Sequence, residues 1–257
     1  MSQAHTELHS QLDQYLKALR LPGMREEYAQ AAASARRETL SHEAFLLALC
    51  QSESELRRNN RVERQLRESH IPREKNLASL DLQRFGPSIA LQTPTLMEGG
   101  FVDRRENILA FGNPGSGKTH LLCAIGQELI HAGRRVYFTP CSLLVQQLLR
   151  AKQELKLDRY LKRLARFEVL IIDDIGYVQH NREEMEVLFT LLAQRYESGS
   201  IMLTSNLPFS QWERIFKDPM TTAAAIDRLI HHSVILELNI ESYRMHEAKR
   251  RQKGGSQ

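Results

Sequence analysis

The feature that most constrains the fold of this chain is the segment of residues 112–119, which reads G-N-P-G-S-G-K-T. It follows the apolar run of residues 108–111 and precedes a helix-forming sequence, which is the strand, loop and helix context of a phosphate-binding loop. Glycines let backbone N–H groups turn inward around an anion, and the N-terminal end of the following helix adds positive potential. A chance glycine loop before a helix is the alternative, and it explains the full pattern poorly. The predicted nucleotide-binding residues are Gly112, Asn113, Pro114, Gly115, Ser116, Gly117, Lys118 and Thr119.

Two side chains of this loop have a chemical role in such a site. The Lys118 ammonium reaches the β and γ phosphates of a nucleoside triphosphate, and the Thr119 hydroxyl ligates Mg²⁺. The sequence therefore predicts ATP and Mg²⁺ as the ligands of the loop.

The chain from residue 107 onward alternates short apolar runs with helical stretches. Near-continuous apolar strands that alternate with helices are typical of a parallel sheet covered by helices on both faces. We therefore predict an α/β fold with such a sheet for this part of the chain. The apolar runs are residues 108–111, 136–138, 169–172, 201–203 and 234–236.

Polar residues follow two of these runs. Asp173 and Asp174 come directly after residues 169–172, so we expect them at the carboxyl edge of the sheet, beside the phosphate-binding loop. Asp173 is predicted to hold Mg²⁺ through water there, and Asp174 to orient or deprotonate the attacking water. Asn206, which follows residues 201–203 closely, is predicted to hydrogen-bond the γ phosphate or that water. Polar residues that merely end a strand or form a turn are the alternative.

The first part of the chain has almost no strand pattern. Helical spacing of apolar residues predicts three helices and therefore a small helical bundle. Pro72 disfavours helix in the residue before it, so we place the domain linker nearby. Residues 1–75 are predicted to be a helical N-terminal domain for oligomerisation or for DNA or partner contact, and residues 76–257 an ATPase domain. The predicted helical stretches are residues 8–21, 26–37 and 44–68.

The segment that leads into the second domain contains prolines and a pair of glycines. Pro87, Pro94 and the Gly99-Gly100 pair interrupt any regular pattern over residues 76–105. Since proline and glycine favour turns, we predict loops and short pieces of structure here.

Composition excludes several classes of protein. The hydrophobic share of 42% and the charged share of 26% are those of an ordinary globular protein rather than of a disordered or collagen-like chain. No apolar run approaches the roughly 18 residues that a membrane span needs, and the first residues lack the pattern of a secretion signal. A cytoplasmic protein without a membrane partner is the expectation, and the net charge of +4 is only mildly basic.

Together these motifs resemble those of the AAA+ ATPases, in the branch of bacterial replication initiators and helicase loaders. Within that branch the chain is most similar to the IstB-type transposition helper ATPases of insertion sequences. The order and spacing of the motifs over residues 76–251 make the resemblance specific. The sequences that carry it are G-N-P-G-S-G-K-T-H-L at 112–121, L-I-I-D-D-I-G at 170–176, L-T-S-N-L-P at 203–208, A-I-D-R-L-I-H-H at 225–232 and E-S-Y-R at 241–244.

The resemblance implies roles for three further residues. It places His120 in the nucleotide-binding motif and makes Arg228 an arginine finger that reaches the γ phosphate on a neighbouring subunit. It also makes Arg244 a phosphate contact, while a solvated helix arginine is the alternative for both arginines. ATP would then lie between the subunits of a homo-oligomer.

Two departures from the wider family bear on these roles. Most AAA+ proteins have Glu where this chain has Asp174, and the shorter side chain predicts slow hydrolysis. Only about 30 residues follow Arg228, so no separate C-terminal lid domain is expected.

A basic segment lies between the second and third apolar runs. Residues 148–166 hold many cations and few carboxylates, and at helical spacing five of the cations fall on one stripe. Such a stripe can track the phosphates of double-stranded DNA, although a solvated helix face is the alternative. A weaker stripe at Arg57, Arg61 and Arg64 is interleaved with acidic residues. The predicted DNA-binding residues are Lys152, Lys156, Arg159, Arg163 and Arg166.

These features favour one function and leave three others open. We predict an ATP-dependent regulator that binds DNA with little sequence preference, since no base-reading module is found. By its resemblance it would assemble on target DNA and recruit or activate a cognate transposase. The alternatives are a replicative helicase loader, a small-molecule kinase and a module that holds ATP without hydrolysing it.

Overall fold

The computed structural model describes residues 3–176, 182–212 and 219–240. It divides into two compact units, Met1–Arg64 and Gln65–Gln257. The division lies within a long helix and earlier in the chain than the boundary expected after residue 75. The separate functions assigned to the two parts stay predictions.

The first unit consists of helices, as predicted. Residues 19–21 separate the first two helices, and Pro22 takes the first position of the second helix, where its missing N–H is not needed. The second helix therefore begins earlier than residue 26. The Ser41 side chain accepts a hydrogen bond from the Ala44 N–H (3.2 Å) and caps the third helix. The helices are α1 (Gln3–Ala18), α2 (Pro22–Arg37) and α3 (His42–Glu68).

A buried carboxylate joins two of these helices. Glu53 on α3 is 4% exposed and accepts hydrogen bonds from the N–H groups of Gly23 (2.7 Å) and Met24 (3.2 Å), at the start of α2. Its other oxygen accepts from Arg57 Nε at 2.6 Å, and the Arg57 guanidinium also donates to the Arg20 carbonyl. Arg57, from the weaker basic stripe, is therefore engaged inside the first unit.

The second unit is built around a five-stranded sheet in which every strand pair is parallel. The strand order is β2-β3-β4-β1-β5, so β4 is the central strand, between β1 and β3, and β1 lies between β4 and β5. Successive side chains of a strand point to opposite faces, and the consecutive residues Ile108, Leu109 and Ala110 of β1 are all fully buried. Both faces are therefore covered, which confirms the predicted α/β fold. The strands are β1 (Asn107–Gly112), β2 (Val136–Pro140), β3 (Val169–Asp173), β4 (Ser200–Ser205) and β5 (Ser233–Leu238).

Helices connect the strands and complete the core. Leucines of the helices that follow β2 and β3 form one buried cluster with the sheet, and Trp212 is fully buried within it. Short 3₁₀ helices lie at Leu77–Ser79, Leu82–Arg84 and Phe209–Gln211. The α-helices are α4 (Pro87–Met97), α5 (Gly100–Asp103), α6 (Lys118–His131), α7 (Cys141–Gln153), α8 (Leu157–Leu164), α9 (Arg182–Arg195) and α10 (Pro219–Ile230).

The structure corrects the prediction of loops over residues 76–105. Helix α4 occupies part of this region, with Pro87 at its start and Pro94 inside it. A proline at the start of a helix costs no hydrogen bond, and one inside a helix removes one. Ile89 and Leu96 are buried on this helix, so packing overrides the local preference of the proline.

The structure also corrects the prediction of one continuous helix through residues 148–166. A turn separates α7 from α8, and Leu155 in that turn has a φ of 56°. The break lets Leu161 and Leu164 of α8 enter the core. The prediction of one continuous helix was wrong. The sequence did not reveal the break, because the turn contains neither the glycine nor the proline that usually ends a helix.

In the described part of the chain, no helix combines the length and the apolar character that a membrane span requires. The expectation that no lid domain follows concerns residues beyond 240, which lie outside the described residues.

Candidate functional site

The loop between β1 and α6 has a backbone that only glycine adopts easily. Gly117 precedes α6 with a φ of 96°, and a Cβ there would lie 3.1 Å from the Phe85 ring. At Gly112, a Cβ would lie 2.4 Å from the Leu238 carbonyl oxygen of β5, which is a prohibitive overlap. Larger residues are therefore excluded at both positions, and the loop closes tightly over the end of β1.

The Lys118 side chain is folded into this loop. Its Nζ donates to the carbonyl oxygens of Gly112 (2.8 Å) and Asn113 (2.9 Å) and to Oδ1 of Asn206 (2.8 Å). Lys118 is buried, and burial lowers its pKa, while the charges of Asp174 and Asp173 oppose that shift. The ammonium is therefore held at the loop by three acceptors and by two carboxylates.

The loop also contains a donor that the described residues leave without a partner. The Ser116 Oγ atom is buried and has no hydrogen-bond partner among them. Buried polar atoms in native proteins are normally satisfied. A hydroxyl group in this position suits an anion such as a phosphate oxygen, and the loop therefore fits the predicted ligand.

The end of β3 supplies the carboxylates. Asp173 Oδ1 accepts hydrogen bonds from Thr119 Oγ1 and from Thr204 Oγ1, both at 2.7 Å. Asp174 follows with a left-handed φ of 62°, and its Oδ1 accepts from Asn206 Nδ2 at 2.9 Å. The predicted pair of carboxylates thus lies beside the phosphate-binding loop, as the order of the strands requires.

The two neighbouring carboxylates differ in their surroundings. Burial raises the pKa of Asp174, and the charge of Asp173 raises it further. The charge of Lys118 and the hydrogen bond from Asn206 act in the opposite direction. A carboxyl group with a raised pKa is a stronger proton acceptor in its ionised form.

Thr204 lies within the motif of residues 203–208, but no role was predicted for it from the sequence. Its hydroxyl donates to Asp173 and accepts from the Asp174 N–H at 2.7 Å, and its carbonyl accepts from the Ile175 N–H at 3.1 Å. Thr204 therefore fixes three consecutive residues at the end of β3. A signal existed in the sequence, because residues two apart in a strand point to the same side and Thr204 stands two residues before Asn206.

We call these residues at the carboxyl ends of the strands the polar edge. They come from the loop after β1 and from the ends of β3 and β4, and hydrogen bonds connect them directly. The order of the sheet explains this, since β4 lies between the other two strands. The polar edge consists of Lys118, Thr119, Asp173, Asp174, Thr204 and Asn206.

Two of the residues implied by the resemblance lie away from the polar edge. His120 Nε2 lies 3.1 Å from both the Asn76 carbonyl oxygen and the Ser79 hydroxyl, in the segment before α4. Arg228 stacks over the Phe189 ring (5.0 Å to the centroid) and donates to a carbonyl of its own helix. Arg244 lies outside the described residues.

The position of Arg228 relative to the sheet is informative. It lines a cleft with Asn107 and Ile201, at the amino ends of β1 and β4. The phosphate-binding loop follows the carboxyl end of β1, and a six-residue strand is roughly 20 Å long. In one chain, Arg228 therefore lies near the amino ends of the strands and the polar edge lies at their carboxyl ends.

The predicted DNA-binding residues do not all lie on one helix. Lys152 on α7 forms an ion pair with Glu186 (2.9 Å), and Lys156 pairs with Glu154 (2.9 Å). Arg163 lies over the Tyr160 ring at 5.5 Å. Arg159 and Arg166 are exposed, and no carboxylate of the described residues pairs with either.

Solved structures with a similar fold place the protein in a class. DnaA from Aquifex aeolicus bound to AMPPCP is 17% identical with a TM-score of 0.56, over 73% of this chain and 57% of that chain. The DnaC helicase loader is 21% identical with a TM-score of 0.54, over 66% of this chain and 98% of that chain. At these identities the likeness concerns the fold alone. The fold and the polar edge define a P-loop nucleotide-binding protein of the AAA+ class.

Sequence comparison then gives the family. The profile described as IstB-like ATP binding protein matches residues 14–252, and the chain belongs to that family. An insertion-sequence ATP-binding protein of Sinorhizobium fredii is 43% identical over 91% of this chain and 78% of its own length. The ATP-binding protein of insertion sequence IS21 from Pseudomonas aeruginosa is 38% identical over 93% of this chain and 91% of its own length. The resemblance predicted from the motifs is therefore confirmed, and ATP is the nucleotide.

Proposed function

We propose that this protein is an ATPase of an insertion sequence that assembles on double-stranded target DNA in an ATP-dependent manner and recruits or activates a transposase. The observation that carries the proposal is the polar edge, in which Lys118, Asp174 and Asn206 are connected by direct hydrogen bonds. Relatives that cover most of the chain bear the names of insertion-sequence ATP-binding proteins.

The chemistry of the site follows from its donors. Thr119 and Asp173, whose oxygens are 2.7 Å apart, would hold Mg²⁺, which is usually bound by one or two carboxylates together with phosphate oxygens. The metal, when bound, neutralises charge that develops on the phosphates. Asp174 accepts a proton from the attacking water or orients it. Asn206 bridges Lys118 and Asp174, so its position responds to whether the γ phosphate is intact.

The position of Arg228 makes hydrolysis depend on assembly. The arginine cannot reach the polar edge of its own chain, because the length of β1 separates them. A neighbouring subunit that presents its cleft to this edge would add a guanidinium to the γ phosphate, which stabilises the charge of the transition state. ATP would then lie between subunits, and hydrolysis would release the assembly from DNA.

The proposed DNA contact is the exposed basic surface of α8 and the residues that follow it. Arg159, Arg163 and Arg166 are exposed there, whereas the two predicted lysines take part in ion pairs. Exposed ion pairs contribute little and can be exchanged for phosphate contacts. Contacts to phosphates alone give affinity with little sequence preference.

The first test is the substitution Lys118→Ala. It removes the ammonium that binds the phosphates, and we expect ATP affinity to fall roughly 10²-fold, as for the loss of a buried charge-assisted interaction. Filter binding of a duplex should then show equal DNA affinity with and without ATP. The control is Lys17→Ala, which removes an exposed lysine of α1.

Equal affinity of the unaltered protein with and without ATP would contradict the proposal. Capture of a replicative helicase in place of the cognate transposase in a pull-down assay would favour a helicase loader. Faster phosphate transfer to a small acceptor than to water would favour a kinase.

A further inference from the structure

The turn between α7 and α8 is a hydrogen-bonded helix cap with an unusual residue. The Leu155 N–H donates to the Lys152 carbonyl (3.0 Å), and the Lys156 N–H donates to the Ala151 carbonyl (2.7 Å). These two bonds and the left-handed φ of 56° at Leu155 form the motif that commonly ends a helix. Glycine is the residue usually found at the left-handed position, since a side chain there is strained.

The Leu155 side chain is also the most exposed of the large apolar side chains in the described part of the chain. It is 95% exposed, and the next is Leu91 at 79%. The other non-glycine residues with a positive φ in the described ranges are polar or charged. Leu155 therefore combines backbone strain with full exposure of an apolar side chain, and neither favours folding.

The segment that contains Leu155 carries more cations than carboxylates. Between Arg150 and Arg166 the sequence contains seven Lys or Arg residues and two carboxylates, Glu154 and Asp158. A protruding apolar side chain among cations suits a polyanion with an apolar interior. Duplex DNA has this character, because charged phosphates flank a stack of apolar base faces.

We propose that Leu155 is a wedge that inserts between stacked bases of duplex DNA while the neighbouring cations bind the flanking phosphates. The inference rests on the proposed DNA binding of the basic segment and adds what that segment does to the duplex. Apolar wedges of this kind unstack a base step and bend the helix axis. The two hydrogen bonds of the cap fix the backbone at Leu155, so that its side chain points into solvent.

The wedge gives the protein a preference that phosphate contacts alone do not give. Pyrimidine–purine steps such as TA unstack more easily than other steps. Insertion of Leu155 therefore favours duplexes with a flexible step at the centre of the contact, and it bends the target at that step.

The experiment uses the full chain with Mg²⁺, a slowly hydrolysed ATP analogue and duplexes that carry 2-aminopurine at successive positions beside a TA step. Unstacking raises the fluorescence of this base analogue, and we expect a rise at one position with the unaltered protein. The substitution Leu155→Gly removes the side chain and suits the helix cap, so the variant should fold and melt at an equal or higher temperature. It should abolish the rise and weaken DNA binding about tenfold, the loss expected from one buried leucine. The slope of log K against log salt should stay unchanged.

Two controls complete the test. Leu91→Gly removes an exposed leucine outside the basic segment and should leave the fluorescence rise intact. Leu155→Phe retains an apolar wedge and should preserve the rise.

An undiminished rise with Leu155→Gly, or DNA binding by the unaltered protein without a rise at any position, overturns the wedge while leaving the proposed function standing. Absence of any ATP-dependent DNA binding overturns the proposed function itself. Smaller assemblies of Leu155→Gly in the absence of DNA would assign Leu155 to contacts between copies and would also overturn the wedge.

Discussion

The polar edge and the basic segment of residues 150–166 use charge in opposite ways. In the polar edge each charged group is at least partly buried and has partners within the chain: Lys118 has three acceptors and Asp173 two donors. In the basic segment the cations are mostly exposed, and those with partners form surface ion pairs. The first arrangement is organised by contacts within the chain, and the second is available to an external polyanion.

The two regions also differ in how well the sequence pattern predicts the geometry. The phosphate-binding loop is encoded by neighbouring residues whose backbone conformations depend on glycine, so the motif and the geometry coincide. The prediction of a basic stripe requires an unbroken helix over nineteen residues, and the turn at Leu155 interrupts that helix.

The largest effect is expected from Arg228→Ala, which tests whether hydrolysis at the polar edge needs an arginine from a neighbouring subunit. The substitution should lower ATP turnover by roughly 10³-fold or more, as for the loss of an arginine finger. Nucleotide affinity of the monomer should be retained, because Arg228 lies at the opposite edge of the sheet. Phosphate release and analytical ultracentrifugation measure turnover and assembly. Arg104→Ala, at an exposed arginine paired with Glu106, is the control, and unaltered turnover of the Arg228 variant would refute the finger.

The next largest effect is expected from Asp174→Asn, which tests whether the two carboxylates have different roles. Asp174→Asn should reduce hydrolysis by roughly 10²- to 10⁴-fold, which is the usual contribution of a general base, and ATP binding should persist. Stability should be equal or higher, because asparagine tolerates the left-handed conformation and the repulsion from Asp173 disappears. Thermal melting and single-turnover hydrolysis measure the two quantities.

The pH dependence of hydrolysis serves as the check on that assignment. Asp174 must be ionised to accept a proton, so activity is lost as the pH falls through its pKa. Burial and Asp173 raise this pKa, so the loss should begin at a higher pH than an ordinary aspartate would give. Asp174→Glu keeps a carboxylate and should show a similar loss of hydrolysis at low pH. If Asp174→Asn also loses activity as the pH falls, another group is responsible for that loss.

A smaller effect is expected at Thr204, where the polar edge is held together. Thr204→Val removes two hydrogen bonds to the end of β3 and should cost about 1–3 kcal/mol of stability, since it leaves buried groups unsatisfied. Turnover should fall about tenfold and the Mg²⁺ requirement should rise, with little change in KM for ATP. Thr204→Ser keeps the hydroxyl and should restore both. A destabilised valine variant with normal turnover and Mg²⁺ dependence would limit Thr204 to a purely structural role.

The smallest effect is expected from the exposed cations of α8. Arg159→Ala with Arg163→Ala should weaken DNA binding about tenfold near physiological salt and lower the slope of log K against log salt by about two units. ATP hydrolysis in the absence of DNA should stay the same. Lys162→Ala, at a lysine paired with Asp158, should have less effect. Unchanged DNA affinity in the double variant would show that DNA contacts another surface of the protein.

Much of the fold could be predicted because most of its strands are buried. Apolar runs bounded by polar residues identified all five strands and their parallel arrangement, since both faces of such a sheet must be covered. Helix α4 could not be predicted, because its prolines argue locally for a loop and only burial of Ile89 and Leu96 stabilises the helix. The start of α2 was missed for a similar reason, because Pro22 begins this helix instead of interrupting one.

Residue types and their order are sufficient to identify the chemistry of this protein: a loop that binds phosphate, a strand that ends in two carboxylates and an ATP-binding family. How these parts are joined depends on the folded sheet, because strand order places β4 between β1 and β3 and so brings Thr204 and Asn206 between the loop and the acidic pair. The tertiary structure also decided that Arg228 lies at the opposite edge and that Leu155 stands exposed at a helix cap. Residue types and spacing carry local conformation, whereas contacts between residues far apart in the chain depend on the packing of the whole sheet.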